Sequence, residues 1–169
     1  MRIFKIILIT MGIAISACTE SDHEGRVRDS LSILTDYEVL SLEKALEKYE
    51  SETCHQIGVA VLDTTGNESI EEFSLKYARD WRLGYKGLDN GMLILLALND
   101  KKIRIELGLG IERYISNSVT SDVIQKYAIP KLRENNVQGA IQSVVNELMV
   151  LARQYNIELK QRPEICRAT

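Results

Sequence analysis

Hydrophobic positions along this chain change period several times, and each change marks an element. Thr35-Asp36-Tyr37-Glu38 has the form of a helix capping box, and Val39, Leu42, Ala45, Leu46 and Tyr49 then fall on one helical stripe. Gln56 to Leu62 is a continuous apolar run, as expected of a strand covered on both faces, and a turn follows at Asp63 to Asn67. A second box, Ser69-Ile70-Glu71-Glu72, opens a helix in which Phe73, Tyr77 and Trp81 recur every fourth residue. Met92 to Leu98 is a second apolar strand, and Asn99-Asp100 is a turn. In the return strand Lys101 to Leu107, Ile103, Ile105 and Leu107 alternate with Lys102, Arg104 and Glu106.

These two strands form an antiparallel hairpin. The strands at Gln56 and Met92 flank a helix and are therefore joined by a right-handed parallel crossover, which makes the sheet mixed and mostly parallel. Val119, Val123 and Tyr127 mark a helix expected to stop near Pro130. Ile141, Val144, Val145, Leu148 and Ala152 mark a long closing helix. The predicted fold is α/β: a three-layer α/β/α sandwich with one antiparallel hairpin.

The first residues follow a different logic. Arg2 and Lys5 precede the apolar run Ile6 to Ile15, too short to span a bilayer in the usual way, and Ile15-Ser16-Ala17-Cys18 resembles a bacterial lipobox. Residues 1–17 are thus expected to be a lipoprotein signal peptide, with Cys18 the lipidated first residue of the mature chain. Residues 18–26 would be a tether, 27–155 one domain and 156–169 a tail. The expected location is the bacterial cell envelope, lipid-anchored and facing a non-cytoplasmic compartment. Cys54 and Cys166 would then remain as thiols in a compartment that permits disulfides, free to pair or to stay apart.

Removal of Arg2 and Lys5 with the signal leaves 19 basic against 24 acidic residues, a net charge of −5. An acidic surface without a basic cluster argues against a nucleic-acid partner. There is no phosphate-binding loop, no nucleophile elbow and no H-E-x-x-H. Gly108-Leu109-Gly110 follows a strand, yet Arg113 stands where a dinucleotide fingerprint needs its third glycine, so a tight strand-to-helix turn is expected and no nucleotide cofactor. The only histidines are His23 in the tether and His55 beside Cys54 at a helix end, so a four-ligand zinc site is not expected.

Carboxylates are the remaining resource. The loop Tyr85 to Gly91 carries two glycines and Asp89, which could meet Glu106 and Glu112 across the hairpin in an oxygen-rich cluster suited to calcium or magnesium. Asp89-Asn90-Gly91 is equally the composition of a plain turn. Trp81, likewise, reads as a core anchor closing its helix.

Val27-Arg28-Asp29, Gln56-Ile57, Trp81-Arg82-Leu83-Gly84, Asp89-Asn90-Gly91, Arg104 to Glu112, Pro130-Lys131-Leu132-Arg133 and Gly139 stand in a distinctive order and spacing. Together they resemble the TPM domain, a family of thylakoid-lumen photosystem II repair proteins, acetylcholine-receptor auxiliary proteins and bacterial envelope proteins. The resemblance runs from Val27 to about Ala152. It implies an α/β/α sandwich, divalent-metal binding in an acidic cleft, and the acid phosphatase activity credited to some members. By position, Asp89 is the first candidate ligand and Asp29 the second, with Glu106 and Glu112 behind them. The functional expectation is a lipid-anchored envelope module that binds a divalent cation and a protein partner. The alternative is a metal-assisted phosphomonoesterase, with Arg82 or Arg104 clamping phosphate.

Overall fold

The computed structural model describes residues 25–154. The expected signal peptide, Cys18, nearly all of the tether and the tail, including Cys166, lie outside the described residues.

Strands β1 (Val27–Asp29), β2 (Gln56–Leu62) and β3 (Gly91–Ala97) are parallel, β4 (Lys102–Leu107) is antiparallel to β3, and the order across the sheet is β1-β2-β3-β4. Helix α1 (Asp36–Thr53) begins at Thr35 with both bonds of its capping box formed, and ends at Cys54, whose φ of 62° is left-handed. Helix α2 (Ile70–Asp80) begins at Ser69, whose side chain accepts from the Glu72 amide. The mixed α/β sandwich expected from the periodicities is the fold observed. Its β2 boundaries coincide with the apolar run.

The two outer layers are unequal. Ile57, Val59, Val61, Met92, Ile94, Leu96, Ile105 and Leu107 pack with α1 and with α6 (Val137–Gln154) in the main core. On the opposite face, α2 alone covers Ala60, Leu93 and Leu95 with Phe73, Tyr77 and Trp81. Every residue of β3 is buried, because this central strand has a helical layer on each side. Trp81 caps α2 and rests over Gly58, where a Cβ would stand 3.0 Å from the indole. The Arg28 guanidinium lies 4.0 Å above the ring and closes this smaller core at the β1 edge.

Two elements differ from the sequence reading. Val27–Asp29 is an edge strand, in register with Val59–Val61; three residues are too few for a period to reveal. The helical path also continues through Pro130. After α4 (Asn117–Val123), a π-helical turn (Ile124–Ala128) leads into α5 (Ile129–Arg133), which has proline in its first turn. Pro130 has no N–H to give the preceding turn, and the chain passes it where a π-helical turn gives way to α5. The short α3 (Leu109–Glu112), starting after Gly108, is the expected strand-to-helix turn.

Candidate functional site

Four glycines build the end of the sheet where β3 begins and β4 ends. A Cβ on Gly84 would stand 2.6 Å from the Gly91 amide, and one on Gly91 would stand 2.5 Å from the Leu83 carbonyl. Side chains on Gly108 and Gly110 would run into the carbonyls of Asp89 and Leu88. In their absence the backbones meet directly: Gly108 N–H donates to Gly91 O at 2.8 Å, and Gly110 N–H to Asp89 O at 2.9 Å. The Gly108-Leu109-Gly110 turn is therefore a cradle for the loop at Leu88-Asp89, with glycine required by close approach.

Asn90 fastens that loop from inside. It is 2% exposed; its Oδ1 accepts the Tyr85 amide at 2.9 Å, and its Nδ2 donates to the Cys54 carbonyl at 2.5 Å. With its neighbours pinned, Asp89 is held at φ 46°, a left-handed conformation that aspartate tolerates better than most residues. Its side chain is exposed, and among the described residues the carboxylate has no hydrogen-bond or ion-pair partner.

Asp89, Glu106 and Glu112 line one cavity of about 490 Å³, together with Arg79, Arg82 and Leu109. The structure thus brings three of the four sequence candidates to one place. They are not equivalent. Glu106 accepts from Ser74 Oγ at 3.0 Å and pairs with Arg104 Nε at 3.2 Å, and Arg104 also reaches Glu71 at 3.9 Å. Arg104 is thereby committed within the protein, whereas Arg82 faces the cavity. Among the described residues no three histidine, cysteine or acidic side chains form a ready-made metal cluster.

Asp29 lies elsewhere. It pairs with Val61, which pairs with Leu96, whereas Asp89 precedes the Gly91–Gln56 pair at the opposite end of the sheet. Its carboxylate accepts the Leu31 and Leu34 amides at 3.1 and 2.7 Å, shaping the entry into α1.

A larger cavity, about 1040 Å³, adjoins the loop on its other side. Glu50 is the hub of a network along the cavity lining: it pairs with Arg26, accepts Gln56 Nε2 at 2.7 Å and accepts Tyr85 Oη at 2.8 Å, while Arg26 Nε is buried without a partner among the described residues. Burial first, and the Glu50 carboxylate next, push the Tyr85 phenol up to about 12. Gln56 Oε1 in turn accepts the Gly84 amide at 2.7 Å. Sequence reasoning singled out neither Asn90 as a buried brace nor Glu50 as a hub. Asn90 sits in a turn tripeptide and Glu50 near the end of a helix, and local pattern carries no sign of what either one reaches.

The TPM domain family model matches residues 27–151, most of the chain. Among solved structures, the N-terminal domain of a protein from P. gingivalis is 27% identical, with a TM-score of 0.69 over 75% of this chain and 81% of that one. A protein from the psychrophilic bacterium Bizionia argentinensis is 21% identical, with a TM-score of 0.62 over 75% and 86%. The N-terminal domain of a Corynebacterium glutamicum protein is 13% identical, with a TM-score of 0.60 over 79% and 84%. The last two likenesses concern the fold alone. No curated protein matches. On the family match, supported by the shared fold, the chain belongs to the TPM domain family.

Proposed function

We propose that this TPM domain is a lipid-anchored cell-envelope module that binds a divalent cation, calcium or magnesium, through Asp89 and presents the bound ion to a protein partner. The observation that carries the reading is the Asp89 carboxylate: unpartnered among the described residues, strained in its backbone, and facing a cavity that also holds Glu112. A residue fixed in a costly conformation with its charge left open is a common mark of a ligand site. The donor set fits a hard cation held by Asp89 and Glu112, with water completing the shell, which is the habit of magnesium and of weak calcium sites. Glu106 would join only by releasing Ser74 and Arg104.

The exposed leucines at the rim, Leu109 at 74% and Leu75 at 39%, give a partner something apolar to cover. The lipid at Cys18 rests on the lipobox. Cys54 is disulfide-bonded, which suits an oxidising compartment. Calorimetric titration of the full chain with calcium and magnesium, repeated with Asp89→Asn, tests the ion: heat lost in the variant supports the site, and none in the native protein sinks it. Intact-mass analysis of the membrane fraction, compared with Cys18→Ser, tests the anchor, and cross-linking in cells tests the partner.

A second reading is a metal-assisted phosphomonoesterase. Arg79 and Arg82 line the same cavity as Asp89, so a phosphate on the ion would meet fixed positive charge. Hydrolysis of an aryl phosphate that persists through purification and vanishes in Asp89→Asn would establish it.

A further inference from the structure

Helix α2 presents two stripes. Phe73, Tyr77 and Trp81 pack on the sheet, whereas Leu75, Ala78, Arg79 and, just past the helix end, Arg82 line the cavity that Asp89 borders. Positions three and four apart lie side by side on a helix, so this second stripe sets a leucine and two guanidiniums in a row. Its last member is fixed by the way the helix stops. The Arg82 amide bonds Arg79 O at 3.0 Å and the Leu83 amide bonds Ala78 O at 3.1 Å, with Arg82 at φ 56°. This is a Schellman turn, whose left-handed position ordinarily belongs to glycine. Here it carries a charged side chain at the cavity wall instead. Among the described residues neither the Arg79 nor the Arg82 guanidinium has a hydrogen-bond, ion-pair or ring partner.

Asp89 and Glu112 are open in the same sense, while Glu106 is engaged by Ser74 and Arg104. The uncommitted charges of the cavity are therefore two carboxylates and two guanidiniums, which balance. Once a divalent cation neutralises Asp89 and Glu112, the positive charges of Arg79 and Arg82 stand uncompensated. A guanidinium is a planar fork matched to a carboxylate, and calcium and magnesium take oxygen ligands, so the loaded cavity suits a carboxylate from outside. Leu75 and Leu109, both exposed, border it from α2 and from α3. A bare anion leaves them uncovered, whereas an acidic side chain with apolar neighbours covers both.

We propose that the partner docks through an acidic residue flanked by apolar ones, its carboxylate held by Arg79 and Arg82 beside the ion, and only when the ion is in place. The inference rests on the cation reading above and adds to it what the partner must carry. Ion and partner then strengthen each other by the same factor, because a coupling between two binding sites is reciprocal. Without the ion, Asp89 and Glu112 repel the incoming carboxylate and the balanced cavity offers it no net attraction.

The probe is an end-blocked peptide with one glutamate between two leucines, titrated into the isotopically labelled full chain in detergent with calcium, with magnesium and with a chelator. NMR shifts of the Arg79 and Arg82 Nε–H groups and of the Leu75 and Leu109 methyl groups report its seat. With the ion these signals should move together and saturate, and the chelator should weaken the peptide about tenfold or more. A glutamine version of the peptide should leave them unmoved. Arg79→Gln changes an exposed helical side chain and Arg82→Lys keeps the charge without the fork; each should weaken the peptide severalfold while the ion still binds. Ion binding without peptide shifts, or the same peptide affinity in the variants, overturns this inference and leaves the cation site standing. Equal peptide binding under chelator overturns the ion dependence. Inorganic phosphate that displaces the peptide at a lower concentration than the peptide itself requires overturns the carboxylate in favour of a phosphoryl ligand. Absence of ion binding in the native protein removes the proposed function and this inference with it.

Discussion

The two ends of the sheet use their carboxylates in opposite ways. At the end where β2 and β3 finish, Asp29 accepts two backbone amides, and Asp100 accepts the Thr64 hydroxyl and the Thr65 amide, each at 2.8 Å. Those bonds hold the Asp100 carboxyl below its ordinary range, the backbone amide first and the hydroxyl next. At the other end Asp89 is strained and unpaired among the described residues, inside a frame of glycines. Ligands in open α/β sheets ordinarily sit beyond the carboxyl ends of the parallel strands. Here those ends are tied off by internal bonds, and the open charge lies at the end built by the antiparallel return of β4. A rim becomes a site where its polar groups are left unsatisfied, more than by its place in the topology.

The largest expected effect comes from closing that glycine frame. Gly110→Ala would drive a methyl group into the Leu88 carbonyl and break the Gly110 N–H bond to Asp89. Overpacking against backbone has no side-chain escape, so a loss of about 3 kcal/mol or more is expected in urea denaturation. Gly66→Ala is the control: its φ of 67° is strained for alanine but nothing lies within 4 Å, and a loss of about 1–2 kcal/mol is expected from that strain alone. Equal losses would show that close approach does not build the site end.

A second test separates the brace from the open rim by pH. Burial pushes the His55 imidazole from 6.5 down to about 4, while its Nδ1 stands 3.1 Å from Tyr49 Oη. The unfolded chain binds this proton near pH 6.5 and the folded chain only near pH 4, so the unfolded state carries more protons between them. Stability from this group is full above pH 6.5, falls as the pH drops towards 4 and is level below that. The total loss is about 3 kcal/mol. Denaturation midpoints across that range should show the slope, and His55→Gln should flatten it; an unchanged slope would place the acid sensitivity elsewhere, outside the helix end that carries Cys54.

The sequence makes one end of this comparison more legible than the other. The hairpin, the two capping boxes and the buried strands are local in period, and local period is what a chain displays without its fold. Antiparallel pairing fixes which residues face one another, so the hairpin in the sequence already points Asp89, Glu106 and Glu112 to one end of the sheet. Asp29 enters the candidate set by family position alone, and nothing in Val27-Arg28-Asp29 announces that its carboxylate closes the turn into α1. Asn90 stayed hidden for the converse reason. Its partner, the Cys54 carbonyl, is 36 residues away and belongs to the backbone, which leaves no mark in the composition. The π-helical turn before Pro130 was invisible too, because proline reads as a stop in the local pattern.

The sharpest test of the two ends changes one atom at each. Asp29→Asn replaces a charged acceptor of two amides by a neutral amide group with only one oxygen, so about 1–3 kcal/mol should be lost. Asp89→Asn removes a charge that no described partner uses, at a left-handed position asparagine also accepts, and stability should stay within about 0.5 kcal/mol. Calorimetric binding should show the reverse: Asp29→Asn should still bind calcium or magnesium, and Asp89→Asn should not. If Asp89→Asn instead destabilises the protein as much as Asp29→Asn does, the Asp89 charge is structural after all, and the two ends of the sheet do not differ in kind.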